Sequence, residues 1–250
     1  MKTQISFGMK NIYDKYIIGI SFGFHDSAVA LIQNGVVLNA VEEERFTGIK
    51  HDNNFPINSI NWILKNNNIT GKDISAVCYY ENPNLKNDRD WKSYWKYFWK
   101  NPFNFPKKKS ELTQFDFIFP NAKVFIGNHH LSHLAYSYFT SDFEESAILS
   151  VDGVGEWDTT VMAYGKDNTI ERKGEVIYPH SLGLLYSTIT AFLGFKPNEG
   201  EYKVMGLAPY GTHLFHHKKF DELVKETEDG FELNMDYFAY HYSDKIMFNQ

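Results

Sequence analysis

The chain has 250 residues, of which 43% are hydrophobic and 22% charged, with a net charge of −6. Such a length buries a substantial core as one large or two small domains, and the composition excludes general disorder. The acidic balance argues against a nucleic-acid binder held by phosphate contacts, and the single cysteine, Cys78, rules out a disulfide framework or a multi-cysteine metal site.

Residues 1–15 read as an N-terminal tail, in which Asp14 and Lys15 interrupt any signal-type apolar segment. Nor is there an apolar run of about 20 residues to span a membrane. A cytoplasmic location is therefore expected. Tyr16–Ser21 is a short apolar run that reads as the first strand and leads into the turn Ser21-Phe22-Gly23-Phe24-His25-Asp26. Ala28–Gln33 follows as a second strand. Asn34-Gly35 is a two-residue hairpin signal, after which residues 36–41 return as the third strand. Pro56 opens an amphipathic helix with Ile57, Ile60, Ile63 and Leu64 on one face. The next strand, residues 74–80, contains Cys78, which is expected in the core.

Aromatic residues make up 17% of the chain and concentrate near 88–110, where Trp91, Tyr94, Trp95, Tyr97, Phe98, Trp99, Phe103 and Phe105 occur. Part of this set recurs at helical spacing. Packing in a core or between subunits is one reading of it, and a lid over a substrate is the other. Lys107-Lys108-Lys109 reads as a solvated loop. Residues 123–127 form a strand entering a helix that begins at His129. Residues 145–151 and 159–164 are expected to pair as a hairpin. Residues 182–193 suit a helix with Leu185, Ile189 and Phe192 inward, and a third helix is expected from about His213 to Glu226. Strands mixed with helices imply an α/β fold. Residues 213–250 read as the start of a following segment. The last residues carry no stop signal, so the chain is expected to be a portion of something longer.

The most informative constellation is Asn128-His129-His130-Leu131-Ser132-His133 followed by Asp152. On a helix, positions i and i+4 face one side, so His129 and His133 can meet one ion. Asp152, at the end of the apolar run 147–151 and before a glycine turn, can supply a third, harder ligand. A nitrogen, nitrogen, oxygen set without thiolate suits Fe(II), Zn or Mn. An ordinary surface or core histidine pair is the plain alternative. His213 and His217 with Asp221 form a rival set, but Lys218 and Lys219 stand beside them and an exposed helix face explains them as well.

Two loops have the character of ligand-binding turns. The Ser21 to Asp26 turn can present backbone N–H groups to a phosphate or acyl group, and Asp152-Gly153-Val154-Gly155-Glu156 is a second turn of the same kind. Neither is a Walker loop or a dinucleotide fingerprint, and each alone reads equally as a tight turn. Residues 197–211 are rich in turn formers and mixed charge, and include Glu199 and Lys203, the latter able to pair with a phosphate.

Taken together, residues 19–28, the segment Glu42-Glu43-Glu44-Arg45-Phe46-Thr47-Gly48-Ile49-Lys50-His51-Asp52 with Phe55-Pro56, His129-His130-Leu131-Ser132-His133, residues 151–157, Pro179 to Tyr186 and residues 198–211 resemble the O-carbamoyltransferase family. That family includes nodulation-factor and antibiotic-tailoring carbamoyltransferases. The resemblance implies an actin-like ATPase (ribonuclease H-like) lobe with a mixed sheet and flanking helices, similar to the tRNA threonylcarbamoyl transferase fold, over residues 16–212.

It also implies the chemistry. Carbamoyl phosphate and ATP give carbamoyl-adenylate in a separate domain, and the carbamoyl group passes to a hydroxyl of a small molecule in the domain of which this chain is the N-terminal part. The family's metal, usually taken as iron, implies Fe(II) on His129, His133 and Asp152, with a fourth aspartate, a second lobe and the adenylate-forming domain expected beyond residue 250, in the same chain if this is a fragment or in a separate partner chain if it is a split protein. His25 is the expected base or carbamoyl-orienting group, with Asp26 orienting it. Lys50, Gly153, Gly155, Glu156, Glu199 and Lys203 form the expected substrate- and nucleotide-binding set. The acceptor, whether a sugar, an aminoglycoside, a cephem or another hydroxyl compound, stays open. Neither nucleic acid nor membrane is expected as a partner, and a homodimer is one expected assembly. A tRNA threonylcarbamoyl transferase-like enzyme and a non-catalytic lobe that binds a nucleotide or a partner chain are the competing readings.

Overall fold

The structure, a computed structural model, describes residues 15–103, 105–106, 112–212, 221–243 and 247–249. The elements in chain order are β1 (Tyr16–Ser21), β2 (Ala28–Gln33), β3 (Val36–Glu42), α1 (Glu44–Thr47), α2 (Ile57–Asn66), β4 (Ile74–Tyr79), α3 (Pro83–Lys96), α4 (Gln114–Ile118), β5 (Lys123–Ile126) and α5 (His129–Phe139). They continue with β6 (Glu145–Gly155), β7 (Asp158–Lys166), β8 (Thr169–Ile177), α6 (Leu182–Phe192), α7 (Glu201–Leu207), β9 (Val224–Thr227) and β10 (Gly230–Leu233). The chain divides into two compact units. The first holds described residues 15–83 and 112–132, the second 84–106 and 133–249, with the division falling inside helix α5.

The first unit is a five-stranded mixed sheet in the order β3-β2-β1-β4-β5. The Asn34-Gly35 turn, with φ of 54° and 77°, has the two left-handed residues that a tight primed hairpin turn requires, and β2 pairs antiparallel with both β1 and β3. The chain then crosses through α2 to β4, which lies parallel to β1, and β5 adds parallel to β4. A meander of three strands followed by parallel strands in the order 3-2-1-4-5 is the arrangement of a ribonuclease H-like, actin-like lobe. One face of the sheet is closed by Ile60 and Ile63 of α2 and by Phe115 and Phe119, which pack with Ile18, Ile20, Val29, Leu31, Val77 and Tyr79. Side chains alternate along a strand, and because Val77 and Tyr79 take this face, Cys78 falls on the other and is exposed. The expectation of a core cysteine is thereby corrected.

A buried carboxylate ties the connections of this unit together. Helix α2 starts after Pro56, whose side chain has no oxygen to cap the free N–H groups of the first turn. Glu43, only 2% exposed, does so from the end of β3: it accepts from the Asn58 and Ser59 backbone N–H groups at 3.1 and 2.8 Å and from the Ser59 hydroxyl at 2.6 Å.

The second unit contains a three-stranded antiparallel sheet in the order β6-β7-β8. The expected hairpin is present, but β6 runs on through Asp152 to Gly155, with an irregular register between Val151 and Gly155, and the reversal falls at residues 156–157. Gly153 and Gly155 thus belong to a bulged strand end instead of the turn, since the extra residues of a bulge are absorbed without ending the pairing. Helix α6 buries Leu185, whereas Phe192, expected inward, is exposed at the helix end. The helix expected as far as Glu226 stops short. Residues 213–220, including His213 and His217, lie outside the described residues, and Val224 to Thr227 form β9, paired with β10 around a turn. Two β-branched residues, Val224 and Thr227, and a reversal ahead of Gly230 suit a hairpin better than a helix. In the aromatic segment, Tyr94 of α3 is buried and edged by Trp91, Trp95, Phe98 and Phe105, while Trp95, Trp99 and Phe103 remain exposed. Among the described residues no helix is long and apolar enough to cross a membrane.

Two outcomes follow. Replacing Glu43 by alanine strands the first-turn donors of α2 and is expected to cost roughly 2–4 kcal/mol, read as a lowered urea midpoint; a loss below about 0.5 kcal/mol would remove its capping role. The second concerns His241, which is buried between Tyr97 and Tyr242 at ring distances of 4.4 and 4.8 Å. Burial, then Lys100 and Lys96, push it down to about 4. The unfolded chain therefore takes up a proton that the folded one declines, so stability is full above the ordinary value of 6.5 and declines as pH falls from there toward 4. His241→Phe should flatten this part of the urea-midpoint profile between pH 7 and pH 4.

Candidate functional site

Helix α5 begins where it does because of its flanking residues. Asn128 accepts the Leu131 N–H at 3.0 Å on its side-chain oxygen, an N-cap. The Ser132 hydroxyl donates to the Tyr80 carbonyl at 2.9 Å, and a Cβ on Gly127 would stand 2.9 Å from the Tyr79 carbonyl. The helix start is thus bolted to the end of β4. His129 and His133 follow one turn apart on this helix. His129 Nδ1 lies 3.7 Å from the buried carboxylate of Glu81, just beyond β4. His133 Nε2 lies 3.7 Å from Asp152 Oδ2.

Asp152 is aimed by its own backbone. The Gly153 N–H donates to Oδ1 at 2.7 Å, which leaves Oδ2 turned toward His133. The strand end that carries it is clamped on both sides. Ser181, fully buried as the N-cap of α6, donates to the Gly153 carbonyl at 2.6 Å and accepts the Leu184 N–H at 3.0 Å. Arg89 of α3 donates to the Glu156 carbonyl at 2.7 Å, where Glu156 turns the chain at φ 53°. Gly183 packs so closely that a Cβ there would stand 2.6 Å from the Asp152 carbonyl. His133 and Asp152 therefore offer a nitrogen and an oxygen side by side in the second unit, and His129 offers a second nitrogen one helical turn earlier on α5. Two imidazole nitrogens and a carboxylate oxygen are donor types that Zn(II) and Fe(II) accept.

A second cluster lies in the first unit. Asp26, at φ 51°, sits between two imidazoles: His25 Nδ1 is 2.8 Å from its Oδ2 and His51 Nδ1 is 2.9 Å from its Oδ1. Partial burial works against its ionisation, but hydrogen bonds from His51 and His25 prevail and hold the carboxyl below its usual range. Backbone bonds from Ser27 N–H to the Asp52 carbonyl (2.8 Å) and from Gly23 N–H to the Asn53 carbonyl (2.9 Å) join the His25 turn to residues 50–54. Lys50 is exposed and reaches Glu44 at 3.5 Å.

The remaining expected residues are dispersed within the second unit. Gly155 and Glu156 are buried at the β6 turn. Glu199 is exposed and pairs with Lys196, and Lys203 lies over the rings of Phe195 and Tyr202. In that loop the organising carboxylate is Glu201, which accepts from Ser187 and from the Asn198 N–H, both at 2.8 Å. Glu81, His51, Ser181 and Glu201 were assigned no role from sequence. Ser181 had a legible signal, a serine directly before an apolar helical run. Glu81 had none, because a single acid after a strand is commonplace.

With this geometry in hand, comparison with known proteins defines the class. The family model described as "Carbamoyltransferase N-terminus" matches residues 16–250, and the chain belongs to that family. It is 40% identical over 243 residues to the uncharacterized protein sll1178 of Synechocystis, covering 90% of this chain and 40% of that protein. It is 31% identical over 235 residues to nodulation protein NolNO of Sinorhizobium fredii, covering 90% of this chain and 34% of that one. The chain thus spans little more than a third of the length of these relatives. Among solved structures, YeaZ from Pseudomonas aeruginosa aligns with a TM-score of 0.36 at 11% identity, covering 66% of this chain and 67% of that one.

Glu81 provides a test of the centre. Carboxylates that orient metal-ligating histidines typically matter by 10–100-fold in affinity. Glu81→Ala should therefore weaken binding of added Fe(II) or Zn(II) about 10–100-fold in calorimetry, with all three ligand residues intact.

Proposed function

We propose that this chain is the N-terminal part of an O-carbamoyltransferase domain, which passes a carbamoyl group from carbamoyl-adenylate, itself made from carbamoyl phosphate and ATP, to a hydroxyl of a small acceptor. The single observation that carries this reading is the match of a carbamoyltransferase family model to residues 16–250, in a chain whose helix α5 sets His129 and His133 one turn apart and whose Asp152 lies 3.7 Å from His133.

His129, His133 and Asp152 would hold the metal. Their two imidazole nitrogens and one carboxylate oxygen suit Fe(II), as they would Zn or Mn. Such an ion, when bound, supplies Lewis acidity toward a carbonyl or phosphoryl oxygen. Ser181, Arg89 and Gly183 keep the Asp152 segment in its clamped path, and the Glu81 carboxylate stands 3.7 Å from the His129 ring.

In the transfer, the acceptor oxygen bonds to the carbamoyl carbon, the bond from that carbon to the adenylate phosphate oxygen breaks, and AMP leaves with the electron pair. The acceptor's proton must go to a base. His25 fills that role: Asp26 holds its Nδ1–H, which leaves Nε2 as the proton acceptor on a half-exposed ring. Lys50, at the rim of the same loop, offers a cation for phosphate. Gly153, Gly155 and Glu156, and further along Glu199 and Lys203, would line the substrate and nucleotide positions.

The complete protein, supplied with carbamoyl phosphate, Mg-ATP and candidate hydroxyl acceptors, should release AMP and form a carbamate ester detectable by mass spectrometry. His25→Ala should slow transfer about 100-fold or more without changing metal content. His133→Ala should lower both. Wild-type release of AMP with every acceptor class left unmodified would contradict transfer, and an unchanged rate in His25→Ala would take that residue out of the mechanism.

A further inference from the structure

We infer that His51 is a positioning residue for His25, acting through the Asp26 carboxylate that the two imidazoles share. In turnover this inference rests on the reading of His25 as the base.

An ionised carboxylate only accepts hydrogen bonds, so each Nδ1 that faces Asp26 must carry its hydrogen. In the neutral rings both Nε2 atoms are then left with lone pairs, the form a base requires. The two partners are unequal. The His25 side chain is 50% exposed, whereas that of His51 is 25% exposed, so His51 is the fixed end of the relay. Its backbone is held as well: the His51 N–H donates to Glu44 Oε2 at 3.1 Å, and its φ of 56° keeps it in the left-handed region. With Oδ1 tied to His51, the carboxylate cannot swing about its own bond, and Oδ2 stays turned to His25.

The surrounding charges fit this arrangement. The Glu44 carboxylate that accepts the His51 backbone N–H is also paired with Lys50, and Arg45 pairs with Glu42. Asp26, Glu44 and His51 also bring potential ligand atoms within 4.8 Å of one another. The hydrogen bonds of His51 to both carboxylates, with Lys50 on Glu44, already account for that proximity without an ion.

The test is the tautomer of His25, read from nitrogen chemical shifts of protein labelled with 15N-histidine and assigned by comparison with His25→Gln. At pH 8 the unmutated protein should show Nδ1–H for both His25 and His51, and an Nε2–H tautomer in either would overturn the inference without any variant of His51. His51→Ala should shift His25 toward the Nε2–H form that free imidazole prefers, while His51→Gln, which keeps an N–H donor for Asp26, should restore Nδ1–H. An unchanged His25 tautomer in His51→Ala would also overturn it. In the complete protein His51→Ala should lower kcat about tenfold or more with little change in acceptor KM, and His51→Gln should recover most of it. Equal kcat losses in the two variants would show a merely structural role and refute positioning. Absence of transfer in the unmutated protein would instead refute the proposed function, with the tautomers still deciding the role of His51.

Discussion

The first unit depends on one buried anion at a helix start. Pro56 suits the entry to α2 because its fixed φ and missing N–H cost nothing there, yet it leaves the next donors without an oxygen. Glu43 fills that need from 15 and 16 positions earlier in the chain than its donors Asn58 and Ser59, with both carboxylate oxygens in use. Because the Glu43 N–H in turn donates to the Ser27 carbonyl at 2.8 Å, the same residue joins the His25 turn, the end of β3 and helix α2. The segment that carries Glu44, Lys50 and His51 hangs from this joint. A neutral residue there would leave donors buried without partners, which costs more than an average hydrogen bond contributes.

The same economy recurs around Asp152. A carboxylate meant to bind an ion has to keep one oxygen available, and here the other is used by the Gly153 N–H. The strand that carries it is irregular, which frees backbone carbonyls from the ladder, and these are taken up by Ser181 and Arg89. The N-cap serine of α6 therefore does two jobs: it starts a helix and fastens the segment that aims Asp152. Gly183 belongs to this arrangement because any side chain would strike the Asp152 carbonyl.

Both clusters set an imidazole beside a carboxylate. His25 and His51 share Asp26, and His129 stands against Glu81. In each case the acid sits at a strand end or in the loop directly after it, where the ladder stops and side chains from successive connections converge. This is where α/β sheets ordinarily build their sites.

Much of this was legible in the sequence, and the limits have physical causes. Alternating apolar runs around Asn34-Gly35, the Pro56 helix start and the HHLSH spacing are local patterns with one dominant reading, and they were enough for the α/β class, for most elements and for the pairing of His129 with His133. The motifs from residue 19 to 211 carried the family. What failed locally was whatever a neighbour decides. Cys78 reads as core because its strand is apolar, but only the sheet register says which face it takes. Phe192 has helical spacing yet falls at a helix end. Residues 224–227 read as the end of a helix, but they pair across a tight turn with Gly230–Leu233, and only the closed hairpin decides between the two. The sequence determined which residue types are available for an ion and a base. Tertiary structure alone decided that Glu81 stands against His129 and that His51 reaches the same carboxylate as His25, because those contacts join positions separated by 48 and 25 residues, respectively, and rest on folded geometry.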